Sequence, residues 1–314
     1  MKIALDPYMH RHLSLPDVAR LAADLGYEYI ELSPRSDFFE WFRQPRVDDD
    51  RIREFKQALR ETGVQLASLL PLYRWASPNE DERRAAVRYW KRAIEVAAEM
   101  ECQTMNSEFT RGPSPQISNF CAGPSTAEQS EAAFWASMDE LLPVFEREGI
   151  MLHLEPHPDD FIEDGNAAVD MIRAIGSPNV KYLYCAPHTF HMGNDMAGMI
   201  RYAAPVLAHV HVADTLNHKA SSGLRYIINP PGSTARVHQH LNIGEGEIDW
   251  DLFFKTLREV GFDGILTACV FAWEDRAVES SRLMRGRIQH YLDKYPPATA
   301  QTAVLPQQTA SGAP

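Results

Sequence analysis

Cysteine is scarce in this sequence. There are four in 314 residues, Cys102, Cys121, Cys185 and Cys269, widely spaced and without a Cys-x-x-Cys pair. Nothing here reads as a disulfide framework. Positive charge is also short: 31 Lys and Arg stand against 43 Asp and Glu, a formal net charge of −12. A chain that neutralises phosphates needs a basic face, so no nucleic-acid partner is expected. No apolar run is long enough to cross a bilayer, which argues against a membrane partner. Met1-Lys2 leads straight into Ile3-Ala4-Leu5 with no charged n-region, apolar h-region or cleavage site, so the expected location is the cytoplasm. A Gly-rich phosphate cradle is missing as well; Gly244-Glu245-Gly246 is a weak substitute, and an unphosphorylated ligand is preferred.

What is present is a regular alternation. Apolar residues make up 45% and charged residues 24%, enough for a large core. Strand-like segments are expected at 2–6, 27–32, 64–70, 104–108, 150–155, 180–185, 208–212 and 264–271. Helical segments at 16–25, 48–62, 80–100, 126–148, 167–174, 196–204, 250–260 and 274–291 follow them in turn. Eight β–α units imply a parallel sheet with right-handed crossovers that closes into a (β/α)₈ TIM barrel of the α/β class. Residues 1–295 are expected to form this single domain. The tail 296–314, rich in Pro, Ala, Thr and Gln without apolar period, is expected to be disordered. Two long connections, 111–125 and 215–241, are expected to be functional.

Histidine is concentrated. Nine of twelve lie between His153 and His240, many two residues apart: His153-Leu154-Glu155-Pro156-His157, His209-Val210-His211 and His238-Gln239-His240. Residues two apart on a strand share a face. In a barrel the helices cover the outside, so the polar face of the fifth strand, His153 and Glu155, must point inward. A carboxylate buried there needs a metal or an arginine partner. His211 lies nearer its strand's end and suits a ligand, whereas His209 is deeper and suits a supporting role. Glu108 ends the fourth strand with Asn106 on the same face, placed for proton transfer or hydroxyl binding, or for an ion pair with Arg111. Asp6, Glu31, Lys219 and Arg225 are candidate substrate-binding residues. Cys185 and Cys269 end inward-facing strand positions, where a thiol is either a small buried hydrophobe or a ligand.

These residues resemble the xylose isomerase-like group, which includes sugar isomerases and epimerases, inosose-processing enzymes and endonuclease IV. The resemblance covers roughly residues 1–293. It implies metal ligands at Glu155 and at the histidine of His211-Val212-Ala213-Asp214. Strand six reads Cys185-Ala186-Pro187-His188, with cysteine where the group has aspartate, and strand eight ends in Cys269 where it has glutamate. A second motif, His238-Gln239-His240-Leu241-Asn242-Ile243-Gly244-Glu245-Gly246, is similar to one in endonuclease IV and implies a set of His188, His238 and His240. Two ligand arrangements therefore stand open for one divalent ion, Mn, Zn, Fe or Co. In finer texture, segments such as Met105-Asn106-Ser107-Glu108-Phe109 and Glu155-Pro156-His157-Pro158-Asp159-Asp160 look like the IolH-type proteins of myo-inositol catabolism.

The chemistry implied is removal of a proton α to a metal-polarised carbonyl, with Glu155, His157 and Glu108 as candidate bases. That step serves an isomerase, an epimerase or a lyase on a sugar or inositol-derived ketone. An alternative is the catalytic subunit of a C-glycoside deglycosidase acting on 3-oxo-glycosides with a small β-rich partner. A further alternative is a barrel that has lost catalysis and serves as a binding or assembly subunit. A sugar or cyclitol ligand and a homo-oligomer are the expected partners.

Overall fold

The computed structural model describes residues 1–33, 49–109, 125–158, 160–193, 195–216 and 239–297. Eight parallel strands close into a barrel in sequence order. They are β1 (Lys2–Leu5), β2 (Tyr29–Leu32), β3 (Gln65–Leu69), β4 (Thr104–Glu108), β5 (Met151–Glu155), β6 (Val180–Cys185), β7 (Leu207–Val212) and β8 (Ile265–Ala268). The helices around them are α1 (Leu15–Asp24), α2 (Asp49–Thr62), α3 (Glu80–Glu99), α4 (Ala127–Glu148), α5 (Gly165–Ile175), α6 (Ala186–His191), α7 (Met196–Ala203), α8 (Trp250–Glu259) and α9 (Ala277–Lys294). No described helix is long and apolar enough to cross a membrane.

Local chemistry sets the helix ends. Ser14, Asn79, Thr126, Asp164, Asp195 and Asp249 each accept a backbone N–H at a helix start. At Thr126 the cap is reciprocal, with the Gln129 side chain bonding back to the Thr126 N–H. Gly149 ends α4 at φ +66°, a left-handed turn that suits glycine.

The strands alternate as the sequence implies. Leu152 and Leu154 of β5, Val210 and Val212 of β7 and Leu266 of β8 face outward and are completely buried under the helices. Each such side chain contributes on the order of 2 kcal/mol of burial. The inward positions at the C-terminal half are polar. In-register neighbours are Asn106 with His153, Glu108 with Glu155, Cys185 with His211, and His211 with Thr267. A register shift between Ile30 and Glu31 sets Glu31 beside Ser68.

Three of the departures from the sequence expectation have a nameable reason. Tyr27 lies outside β2 because its N–H closes onto Ala22 O of α1 and its hydroxyl donates to Ser281 O. β8 stops at Ala268 because the chain then turns away: Cys269 N–H still reaches Val212 O, but Phe271 N–H bonds His240 O instead. The short helix α6, opened by Pro187 in its first turn, is additional to the sequence reading and carries His188. Most of the two long connections, and residues 298–314, lie outside the described residues.

Candidate metal and catalytic site

The floor of the site is a buried polar network. Glu31 is fully buried and accepts from Ser68 Oγ at 2.5 Å, Asn106 Nδ2 at 2.5 Å and His211 Nε2 at 2.8 Å, with His209 Nε2 at ion-pair distance, 3.1 Å. Burial alone would raise this carboxyl, but the imidazoles of His211 and His209 outweigh it and hold Glu31 well below the usual carboxylate range. His209 also bonds Thr267 Oγ1 at 2.7 Å. His153 lies alongside, and burial, then the His209 charge, push it down to about 3, so it stays neutral.

Above this floor the His211 ring stands between two carboxylates. Its Nε2 faces Glu31 and its Nδ1 lies 3.0 Å from Glu155 Oε2. Burial opposes charge on His211, yet Glu31 and Glu155 raise it well above the ordinary histidine value. The Nδ1–Oε2 pair is at ion-pair distance, but Glu155 Oε2 receives no aligned hydrogen bond. Both residues belong to a donor group with Cys185 whose ligand atoms all lie within 4.8 Å of one another.

The neighbouring strand ends add sulfur and more imidazole. His188 Nδ1 lies 3.9 Å from Glu155 Oε1, and His188 Nε2 lies 3.2 Å from His240 Nε2. His240 Nδ1 donates to Cys269 O at 2.7 Å, which fixes its tautomer and leaves Nε2 as the ligating nitrogen. Cys185 and Cys269 are free, buried thiols hydrogen-bonded to each other. Burial opposes ionisation of Cys269, but the Cys185 hydrogen bond and the His240 and His211 charges lower it to about 5; Cys185, the donor, is raised. Three donor groups have all their ligand atoms within 4.8 Å of one another: Glu155, Cys185 and His211; Cys185, His188 and His240; and, deeper, Glu31, His209 and His211.

Over these residues opens a cavity of about 480 Å³ at the C-terminal ends of the strands, where barrel active sites lie. Asp6, Glu108, Glu155, His157, His188, His211 and His240 line it, with Tyr8, Ser33, Gln239 and Phe271. Glu108 and His157 are neighbours on its wall, Oε1 3.9 Å from Nε2. His157 Nδ1 donates to Pro158 O, so the neutral ring presents Nε2 as a base. Burial, then the Glu155 charge, raise Glu108 to about 8; burial, then the Glu31 charge, raise Asp6 to about 8. Asp6 Oδ1 accepts from Ser33 Oγ and Tyr8 N–H.

The structure brings together Glu155, His188, His211, His240, Cys185, Cys269, Glu108, His157 and Asp6. It corrects two expectations. Glu31 and Asn106 do not line the cavity; they are buried beneath it, with Glu31 taken up by Ser68, Asn106 and His211, and Asn106 Nδ2 donating to Glu31 and Ser68. Glu31 accepts from His211 Nε2 and Asn106 Nδ2 alike. His238, Lys219 and Arg225 lie outside the described residues. Phe271 and Tyr8 are additional wall residues: Phe271 stacks on His240 at 4.4 Å and 18°, and Tyr8 packs against Phe271. Alternation beyond Cys269 is the signal that places Phe271 inward.

The motif after His240 has a structural task. The Asp214 carboxylate accepts from the N–H groups of Thr215, Gly244 and Ile248 and from Trp250 Nε1. A Cβ on Gly246 would meet Asp214 Oδ1 and the Thr215 backbone closer than any side chain allows, so glycine is required there. With the paired Asp214–Leu241 backbone bonds, this turn anchors Gln239 and His240 over the cavity.

A parallel eight-stranded barrel whose cavity gathers carboxylates, imidazoles and thiols at the strand ends defines the class. The chain belongs to the xylose isomerase-like TIM-barrel family, whose model matches residues 19–287. It is similar to inosose isomerase of Bacillus velezensis, 20% identical over 248 residues that span 78% of this chain and 79% of that protein. Among solved structures, an IolI protein with a bound zinc atom shares the fold at TM-score 0.73 and 16% identity, covering 94% of this chain and 99% of that one. The 3-keto-D-glucoside 4-epimerase YcjR of E. coli does so at TM-score 0.71 and 18% identity, covering 92% and 99%. D-psicose 3-epimerase, solved with D-fructose, also has TM-score 0.71, at 15% identity and 93% and 99% coverage.

Proposed function

We propose that this chain is a divalent-metal-dependent isomerase or epimerase acting on an unphosphorylated sugar or inositol-derived ketone, by removal of the proton next to the carbonyl. One observation carries the reading: Glu155, Cys185 and His211 converge at one end of a cavity whose wall holds Glu108 and His157 side by side. The misaligned 3.0 Å contact between His211 and Glu155, and the hard and soft donors around it, fit a divalent ion. Glu155, His211 and Cys185 would hold it, and Cys185, His188 and His240 form a second candidate donor group beside them. When bound, the ion supplies Lewis acidity that polarises a carbonyl oxygen. The relatives' names, an inosose isomerase and epimerases of psicose and a 3-keto-glucoside, support an isomerase or epimerase of a polyhydroxy ketone.

The chain's own groups supply the rest. Glu108 Oε1 takes the proton from the carbon next to the carbonyl, and His157 Nε2, 3.9 Å away, receives or returns it. Asp6 directly follows the first strand, across the barrel from Glu155 on the fifth, and holds a substrate hydroxyl. Phe271 and Tyr8 cover one wall and limit water. Return of the proton to the opposite face of the same carbon gives the epimer, and its delivery to the former carbonyl carbon, with the neighbouring hydroxyl giving up its own proton to become the new carbonyl, gives the isomer.

The test is solvent exchange. The metal-loaded protein is incubated in D₂O with ketohexoses, inososes and 3-keto-glucosides and followed by NMR. Deuterium is expected at the carbon next to the carbonyl of one of them, and Glu108→Gln is expected to slow it by roughly 10²–10⁴-fold. Exchange undiminished in Glu108→Gln would remove Glu108 from this role.

A further inference from the structure

We propose that this centre holds zinc through the sulfur of Cys185, in preference to the harder manganese and magnesium ions. The inference rests on the metal-enzyme reading above and specifies the ion that reading leaves open.

Two groups of ligand atoms include residues that line the cavity, Glu155 with Cys185 and His211, and Cys185 with His188 and His240. They have one atom in common, Cys185 Sγ. The third group, Glu31 with His209 and His211, is closed to an ion because Glu31 is fully buried, accepts from Ser68, Asn106 and His211, and has His209 Nε2 3.1 Å away. Whichever imidazoles complete the coordination, a sulfur is therefore among the donors. A second sulfur stands next to it: Cys269 Sγ accepts from the Cys185 thiol and lies 3.4 Å from His240 Nδ1.

The surroundings orient the nitrogen donors for the same purpose. Glu31 holds the His211 ring by Nε2 and turns Nδ1 to the Glu155 side; the Cys269 carbonyl holds His240 by Nδ1 and turns Nε2 to His188. Carboxylate and carbonyl partners on the far nitrogen are what orient imidazole on a metal. A mixed set of thiolate, imidazole and a single carboxylate suits zinc, whereas manganese and magnesium favour oxygen-rich sets.

Purified chain, stripped with a chelator, is dialysed against equal Zn²⁺ and Mn²⁺ and its metal content measured. In parallel it is loaded with Co²⁺ and its near-ultraviolet spectrum recorded for wild type, Cys185→Ser and Cys185→Asp, with circular dichroism to check folding. The wild type is expected to retain zinc over manganese by roughly tenfold or more. Its cobalt form is expected to show sulfur-to-cobalt charge-transfer absorption, at least about half of it lost in both folded variants. Cys185→Asp, which replaces sulfur by oxygen, is expected to shift retention toward manganese. Manganese held as well as zinc, or a cobalt form without the sulfur band, would overturn the thiolate assignment while leaving the metal-enzyme reading intact. Retention of none of the three ions would overturn both together.

Discussion

The two carboxylates flanking the His211 ring do different work. Glu155 opens to the cavity, whereas Glu31 is saturated and fixes the ring from below. Removing the charge of Glu31 leaves the ligands in place but loosens their aim. Glu31→Gln is expected to weaken metal retention by roughly 10–100-fold in a chelator competition, with the fold intact by circular dichroism. An unchanged affinity would mean that His211 needs no such support. Asp6 makes a prediction in pH. Its carboxyl is raised to about 8 by burial and then by Glu31, while in an unfolded chain it titrates near about 4. Between these values the folded chain keeps a proton that the unfolded chain has released. The stability this confers is complete below about pH 4 and is lost as pH rises through about 8. With EDTA present, Asp6→Asn is therefore expected to be more stable than wild type at pH 8 by on the order of 2 kcal/mol in urea unfolding, the gap shrinking toward pH 5. Parallel pH profiles for the two proteins would contradict this.

At the scale of elements, the turn after His240 decides how the site is closed. Asp214 ends β7's extension and gathers the Thr215 N–H and three donors from a segment some thirty residues later. Asp214→Ala strands those donors in a buried place, at a cost of about 3 kcal/mol and a melting temperature lowered by roughly 5–10 °C. Gly246→Ala is expected to act in the same direction, because its Cβ has no room. A thermal scan in which both variants match wild type would remove this anchor from the account. This element also marks what the sequence could and could not reveal. Glu155 and His211 were legible because alternation with Leu152, Leu154, Val210 and Val212 fixes their face. The task of Asp214 was not, since nothing local to His211-Val212-Ala213-Asp214 announces Gly244, Ile248 and Trp250 as its partners. Glu31 reads as a cavity residue from its strand-end position. Only the register shift beside Ser68 and the reach of His211 show it to be a support from below.

For the whole molecule, the closed barrel in strand order was legible from the eight-fold β–α alternation, because short right-handed crossovers leave few other topologies. Its boundaries were less so: the C-terminal end of β8 depends on a bond from Phe271 N–H to His240 O, a loop residue on another side of the cavity. The barrel's purpose follows from the polar floor and the donors above it. Most of its interior at the catalytic end is given to carboxylates, imidazoles and thiols instead of packed aliphatics. Such a concentration of buried polar groups costs stability unless a function uses it. The most direct test is elemental analysis of the purified wild type beside Glu155→Gln and His188→Ala. About one equivalent of a divalent transition metal is expected in the wild type, with most of it lost in Glu155→Gln. A wild type that is metal-free, and stays so after incubation with Zn²⁺ or Mn²⁺, would contradict the account and turn the barrel into a binding subunit.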